Sequence, residues 1–194
     1  MVKSLFIASF TLLLFSFTIA QDEVYIKNNL LSGRLTLSPT TSLTSSANYF
    51  FLHGNLEAYL SPQISIIGEG YYFLNELKNN NLQTFKHNHS IFFGANWHFT
   101  KENNDFYFGF QPGLSITKLN HEKINTTSSK NGINPLISGN IGYNYYVHQN
   151  FHFFIQTKLV IGQHSYDKVE NLNEFRFSAG LGFNIKTSKK ELPK

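Results

Sequence analysis

Histidine beside serine is the first chemistry this sequence offers. "KHNHS" supplies His87, His89 and Ser90, and "GQHSYD" supplies His164, Ser165 and Asp167. A serine nucleophile needs an imidazole within hydrogen-bond reach and an acid to orient it. Adjacent residues on a strand point to opposite faces, so these adjacencies work against that reach. Both clusters also sit at the edges of polar loops. His87 and His89 have an i, i+2 spacing compatible with a metal, yet two ligands alone are weak evidence for a site. The expectation is no catalytic group, no cofactor and no metal centre.

A second set of chemically active residues is spread along the chain: Arg34, His53, Glu57, Glu69, Lys158, Glu174 and Arg176. Each falls on the polar side of a segment that alternates apolar and polar residues. The last segment, "FRFSAGLGFNIK", shows the pattern most plainly. Phe175, Phe177, Ala179, Leu181, Phe183 and Ile185 alternate with Arg176, Ser178, Gly180, Gly182 and Asn184. Such period-two alternation is a strand with two unlike faces. Seven earlier segments repeat it, beginning near Leu31, Phe50, Ile64, Ile91, Phe106, Ile137 and Phe151.

The connections alternate too. Long polar stretches, 39–47, 75–86, 120–133 and 163–173, follow strands 1, 3, 5 and 7, and short turns join strands 2–3, 4–5 and 6–7. Turns this short make antiparallel neighbours. The register that keeps polar sets facing each other puts His53 opposite Glu69, His98 opposite Tyr107 and Lys158 opposite Asn140. Counted from the short turns, Glu69, His53, Lys158 and Arg176 stand at similar heights, with Glu57 lower and near Arg34. Three charges of each sign suggest a self-neutralising plug, since buried charges persist when paired. The alternative is a narrow ion path. An open porin needs about twice as many strands.

Either face of such a barrel could meet solvent. Three features favour lipid outside. The strands are about ten residues long, enough to cross a bilayer at a tilt. Rings gather on the apolar face near the short turns and chain end: Trp97, Phe99, Phe106, Tyr143, Tyr145, Phe151 and Phe183, half of an aromatic girdle. Short turns at one end and long loops at the other are the asymmetry of outer-membrane barrels. The competing reading is a soluble, lipocalin-like periplasmic barrel with the apolar set inside.

Composition agrees. Twenty Phe and ten Tyr against one Met suit an all-β protein, and the absence of Cys leaves neither a disulfide framework nor a lipoprotein attachment site. The net charge of +4 is too small and too scattered for nucleic acid. Residues 1–20 have the basic start, apolar run and small-residue end of a secretory signal peptide. The expected organisation is 1–20 signal peptide, 21–29 N-terminal periplasmic segment, 30–185 β-barrel and 186–194 C-terminal periplasmic tail.

The signal peptide, the eight amphipathic strands and the terminal "FSAGLGFNI" resemble the small OmpA/OmpX-type outer-membrane β-barrels, in the form common among Bacteroidota. The resemblance spans about residues 30 to 185 and rests on pattern more than on fixed residues. It implies an eight-stranded antiparallel up-and-down transmembrane β-barrel in the cell outer membrane, with periplasmic turns, extracellular loops and outer-membrane lipid and the barrel-assembly machinery as partners. One departure is the extension "KTSKKELPK" after Ile185, where such families often end on a terminal aromatic. Relatives of this kind include lipid A deacylases and palmitoyltransferases, but the deacylase's His-x-Ser is absent here.

Two prolines stand out. Pro112 within strand 5 and Pro135 opening strand 6 cannot donate to a ladder. They read as a bulge at Pro112-Gly113 plus a strand start, or as a lateral seam between strands 5 and 6 that admits a lipid tail. The loops, rich in Asn, Ser, Thr and Lys, suit contact with a surface glycan or protein. Asn88 and Asn125 stand in Asn-x-Ser/Thr triplets, which have no meaning in an ordinary bacterial envelope. The functional expectation is a non-enzymatic outer-membrane barrel with a structural or surface-binding role. A lipid-handling barrel using that seam and a soluble ligand-binding barrel are the alternatives.

Overall fold

The computed structural model describes residues 29–45, 47–77, 84–120 and 130–186. The segment expected to be a signal peptide (1–20), residues 21–28, the tail beyond Lys186 and Asn125 lie outside the described residues. Nine strands form: β1 (Leu30–Ser42), β2 (Asn48–Ser61), β3 (Ile64–Leu77), β4 (Phe85–Lys101), β5 (Asn104–Leu119), β6 (Gly132–His148), β7 (Phe151–His164), β8 (Glu170–Asn171) and β9 (Glu174–Lys186). Each long strand pairs antiparallel with its neighbours, β6 pairs with β7 and β7 with β9, and β9 returns to β1. The result is a closed eight-stranded barrel. The two-residue β8 only extends the β7 edge at the long-loop end.

Alternation fixes which residues enter. The polar partners in the segments above are buried, while Leu35 (69% exposed), Phe93 (64%), Phe183 (63%) and Ile185 (62%) stand outside. The barrel is thus apolar without and polar within. The eight barrel strands run 13 to 17 residues, longer than the expected ten. Much of what reads as loop by composition, such as Pro39–Ser42, is strand: its threonines and serines alternate in and out like any other residues.

The short turns are two-residue links at Pro62-Gln63, Glu102-Asn103 and Gln149-Asn150. Two of the three expected registers hold: His98 faces Tyr107 and Lys158 faces Asn140. The third is corrected by two residues. His53 faces Tyr71, and Asn55 faces Glu69. The turn lies one residue later than its Ser61-Pro62 reading. A two-residue slip keeps every side chain on its face, so matching polar sets could not reveal it.

The prolines correct a second expectation. The β5–β6 ladder runs unbroken from Asn104 opposite Tyr145 to Thr117 opposite Gly132, passing both Pro112 and Pro135 without a bulge. The reason is strand phase. Asn120 donates its N–H to Thr84 on the β4 side, so even-numbered residues of β5, Pro112 included, turn their nitrogen to β4. Tyr146 donates to Asn103, so even residues of β6 face β5 and Pro135 faces β7. The pairing lost at Pro112 is therefore with β4, where the ladder skips from Phe92–Gly113 to Ala95–Phe110. Pro135 lies just beyond the last β6–β7 pair, Leu136 with Gly162. No seam opens between β5 and β6.

Candidate functional site

The lumen is lined from end to end by buried polar and charged side chains. At the short-turn end, Arg34 reaches across from β1. Its Nη2 donates to Glu57 at 2.7 Å, Nη1 to the Tyr107 hydroxyl at 3.0 Å and Nε to His152 Nε2 at 3.2 Å. Glu57 also accepts from Ser65 (2.6 Å) and Asn96 (2.7 Å). Tyr59 and Tyr146, 2.9 Å apart at their hydroxyls, close the floor with Leu30.

Two inward glycines make this packing possible. A Cβ on Gly142 would lie 2.3 Å from the Tyr107 hydroxyl, and one on Gly182 would lie 2.2 Å from His152 Cε1. Each leaves room for a ring that Arg34 needs.

One arrangement here has the outline of a catalytic triad. Ser65 Oγ lies 2.8 Å from His98 Nε2, and His98 Nδ1 lies 2.9 Å from Asp105. Its hydrogen bonds argue against nucleophilic use. The Ser65 proton points to Glu57, so the imidazole must donate to Ser65 on one side and to Asp105 on the other. A ring that donates from both nitrogens is a cation, not a base. With Arg34 it balances Glu57 and Asp105. All three side chains are buried, with no open face for a substrate. The sequence hides this group because Ser65, His98 and Asp105 come from three strands beside turns, with no local motif.

Midway up, Lys158 meets Glu69 at 2.6 Å, bonds to Gln111, and lies over the Phe92 ring at 4.6 Å. Gln156 donates to Glu69 at 3.0 Å. His53 stacks on Tyr71 at 4.2 Å, and its nearest carboxylate oxygen, on Glu69, is 3.9 Å away. Opposite Lys158 on β9, Arg176 pairs with Glu174 at 2.7 Å and donates to Ser90. Its guanidinium lies 4.4 Å from the Tyr71 ring centre and 4.5 Å from that of Phe51. Toward the long loops, Tyr49, Phe51, Phe73 and Phe85 form an apolar cap with Leu119, Leu136, Val160 and Leu172, continuous with Phe92 beside Lys158. Those inward rings do not follow from the alternation alone, which assigns rings to the outer face.

All seven charged and histidine residues singled out in the sequence thus lie inside. They form three ion pairs, Arg34–Glu57, Glu69–Lys158 beside His53, and Glu174–Arg176, the last two adjacent where Lys158 faces Arg176. Outside, Trp97, Phe99, Phe106, Tyr143 and Phe183 are exposed, and Tyr145 and Phe151 half-buried, all toward the short-turn end. Trp97 and Phe99 stack on Phe108. At the opposite rim, Tyr72 stacks on His89 at 4.3 Å and His89 on His87 at 5.4 Å. His89 Nδ1 accepts the Phe73 N–H, while Ser90 turns inward to Arg176, so the two are on opposite faces. His164 bonds to Thr117, and Asp167 accepts from the Lys130 N–H. Neither histidine–serine cluster assembles a nucleophile. Among the described residues, no group of three or more His, Cys, Asp or Glu could hold a metal.

No protein-family model matches the chain, and no curated protein matches it in sequence. Solved structures do. The outer membrane protein OprG of Pseudomonas aeruginosa superposes with a TM-score of 0.62 at 9% identity, over 83% of this chain and 98% of that one. Neisserial surface protein A gives 0.60 at 15% identity, over 81% and 96%. The N-terminal β-barrel domain of Pseudomonas aeruginosa OprF gives 0.53 at 16% identity, over 82% and 100%. The neighbours are small outer-membrane eight-stranded β-barrels, and at these identities the likeness is one of fold.

Proposed function

We infer that this chain, which has the fold of the small eight-stranded outer-membrane barrels, is an integral outer-membrane protein that neither conducts nor catalyses. Its role is structural or surface-binding. One observation carries the reading: the barrel is inside out for water. Its outer face exposes leucine, isoleucine and phenylalanine on every wall, and its ions are buried in the lumen. In water such a surface would aggregate; in a bilayer it meets its own kind. A soluble ligand-binding barrel needs the opposite arrangement.

The three ion pairs and the aromatic cap support a plug rather than a path. Buried pairs with their hydrogen bonds satisfied hold the walls together and leave no file of water for ions. Orientation follows from the ends. The three tight turns and both barrel termini, where Leu30 pairs with Lys186, share one end and would face the periplasm. The longer connections would face outward and contact a surface glycan or protein. Outer-membrane lipid and the barrel-assembly machinery are the partners this location brings, and nucleic acid is not among them.

Heat-modifiability tests the reading. In mild detergent extracts, the unboiled protein should migrate faster than the boiled one and should come from the outer-membrane fraction. A single band from the soluble fraction would overturn it.

A further inference from the structure

The closing seam of the barrel, β1 against β9, is built unlike the others. Its ladder pairs Leu30–Arg34 with Gly182–Lys186 and Thr40–Ser42 with Glu174–Arg176, but no pairing joins residues 35–39 to 177–181. Five positions on each strand are skipped, with paired rungs above and below. This is the longest such interruption among the described residues.

Proline explains only its upper edge. Ser42 donates its N–H to Ala47 on the β2 side and Leu43 donates to Asn173 on the β9 side, so odd residues of β1 turn their nitrogen to β9. Pro39 therefore removes a donor facing β9. Ser38 Oγ takes its place, donating to the Phe177 carbonyl at 2.8 Å, and Thr36 Oγ1 donates to the Ala179 carbonyl at 2.7 Å. Below Pro39 the strand has no proline, yet pairing resumes only at Arg34. The seam is held there by side-chain hydroxyls in place of a backbone ladder. Two hydroxyls on rotatable bonds are easier to part than a run of backbone bonds.

The lumen beside this seam is also exceptional. Nine buried side-chain atoms among the described residues lack a hydrogen-bond partner, and five belong to Ser32, His53 and Asn55. His53 lies opposite Thr36, one strand in from the gap, and Asn55 lies opposite Arg34, the paired rung just below it. Both ring nitrogens of His53 and both amide atoms of Asn55 are unpartnered. Buried polar groups are normally satisfied, so such a cluster calls for a guest. On the outer side the gap is flanked by Leu35, Leu37 and Leu181, all exposed.

We propose that the β1–β9 seam is a lateral portal for a neutral single-chain amphiphile, a fatty alcohol or monoacylglycerol in chemical class. Its hydroxyl head bonds to His53 and Asn55, and its tail stays outside along the leucines. The head is neutral because the ions nearby are already matched, Arg34 by Glu57 and Lys158 by Glu69. A charged head would have to break a pair. A hydroxyl both donates and accepts, as the amide and imidazole require. This inference rests on the membrane reading above.

The test uses the absence of cysteine in the chain. Ser38 and Ser178 are buried on facing strands inside the gap, and the rungs above and below, Thr40–Arg176 and Arg34–Gly182, set them opposite each other. The double variant S38C/S178C, folded into phosphatidylcholine vesicles, is compared reduced and oxidised. The probe is hexadecanol with a photoreactive group beside its hydroxyl, and labelled residues are read by mass spectrometry. We expect label at His53 and Asn55 in the reduced protein, at least about tenfold weaker once the disulfide closes the seam, and reduced by a smaller factor in Pro39→Val, which restores only the upper rung. Label confined to Leu35, Leu37 and Leu181 overturns the portal while leaving the barrel in its membrane. Label at His53 that survives the disulfide overturns it too, because the head would have entered from the mouth. No label even on those leucines fails the membrane reading and the portal with it.

Discussion

Two ways of burying an arginine stand one above the other in this lumen. At the short-turn end Arg34 sits in a polar web of three different partners, Glu57, Tyr107 and His152 each taking one of its donors, with the Phe154 ring 5.0 Å from its guanidinium. Toward the long loops Arg176 has one carboxylate and one serine, and otherwise lies against Tyr71, Phe51 and Phe92. The web holds Arg34 by geometry: every partner depends on another, and two glycines keep the space open. The cage holds Arg176 by dispersion and ring electrostatics, which tolerate small displacements. The lower barrel should therefore be brittle, and the upper barrel compliant.

Replacing each arginine gives the largest effects. Arg34→Met leaves Glu57 buried without its counter-ion and should cost about 3–5 kcal/mol, the range for breaking a buried pair. The double variant Arg34→Met/Glu57→Gln should recover much of that loss, because the orphaned charge is gone. Urea midpoints in lipid vesicles check both. A double variant no more stable than the single one would mean that Arg34 acts through packing alone. Arg176→Lys keeps the charge but gives up the planar stack and the two-pronged contact with Glu174. It should cost less, about 1–2 kcal/mol, comparable to the hydrogen bonds to charged groups it loses. If Arg176→Lys proved the more damaging, the contrast between web and cage would be wrong.

How much of this could be read from the sequence follows from what alternation records. A period of two assigns each residue to a face, so the inward placement of Arg34, His53, Glu57, Glu69, Lys158, Glu174 and Arg176 was legible. So were the eight strands and the short turns. Alternation does not record height to better than two residues, which is why His53 was paired with Glu69 instead of Tyr71. Nor does it give the direction of a missing N–H. Pro112 and Pro135 pointed to a β5–β6 seam until the strand phases turned them toward β4 and β7. Pro39, hidden in a stretch that resembled a loop, marks the interrupted ladder. The Ser65–His98–Asp105 group was illegible for a different reason. It exists only once β3, β4 and β5 are laid side by side.

Glycine offers the finest test, because the same substitution should have opposite signs on the two faces. Gly142→Ala drives a methyl into Tyr107, and Gly182→Ala drives one into His152, so each loosens a partner of Arg34. Each should cost about 1–3 kcal/mol, the usual range for overpacking. Their combination should cost less than the sum, because both act on one guanidinium. On the outer face, a Cβ on Gly70 would meet nothing within 4 Å. Gly70→Ala should therefore stabilise the barrel slightly, by about 0.4–1 kcal/mol, through the freedom the unfolded chain loses. The smallest effect is the most discriminating. A loss at Gly70 as large as that at Gly142 would show that glycine serves strand curvature everywhere in this barrel. A gain at Gly70 beside losses at Gly142 and Gly182 would show that the lower web, and not the sheet, is what demands the inward glycines.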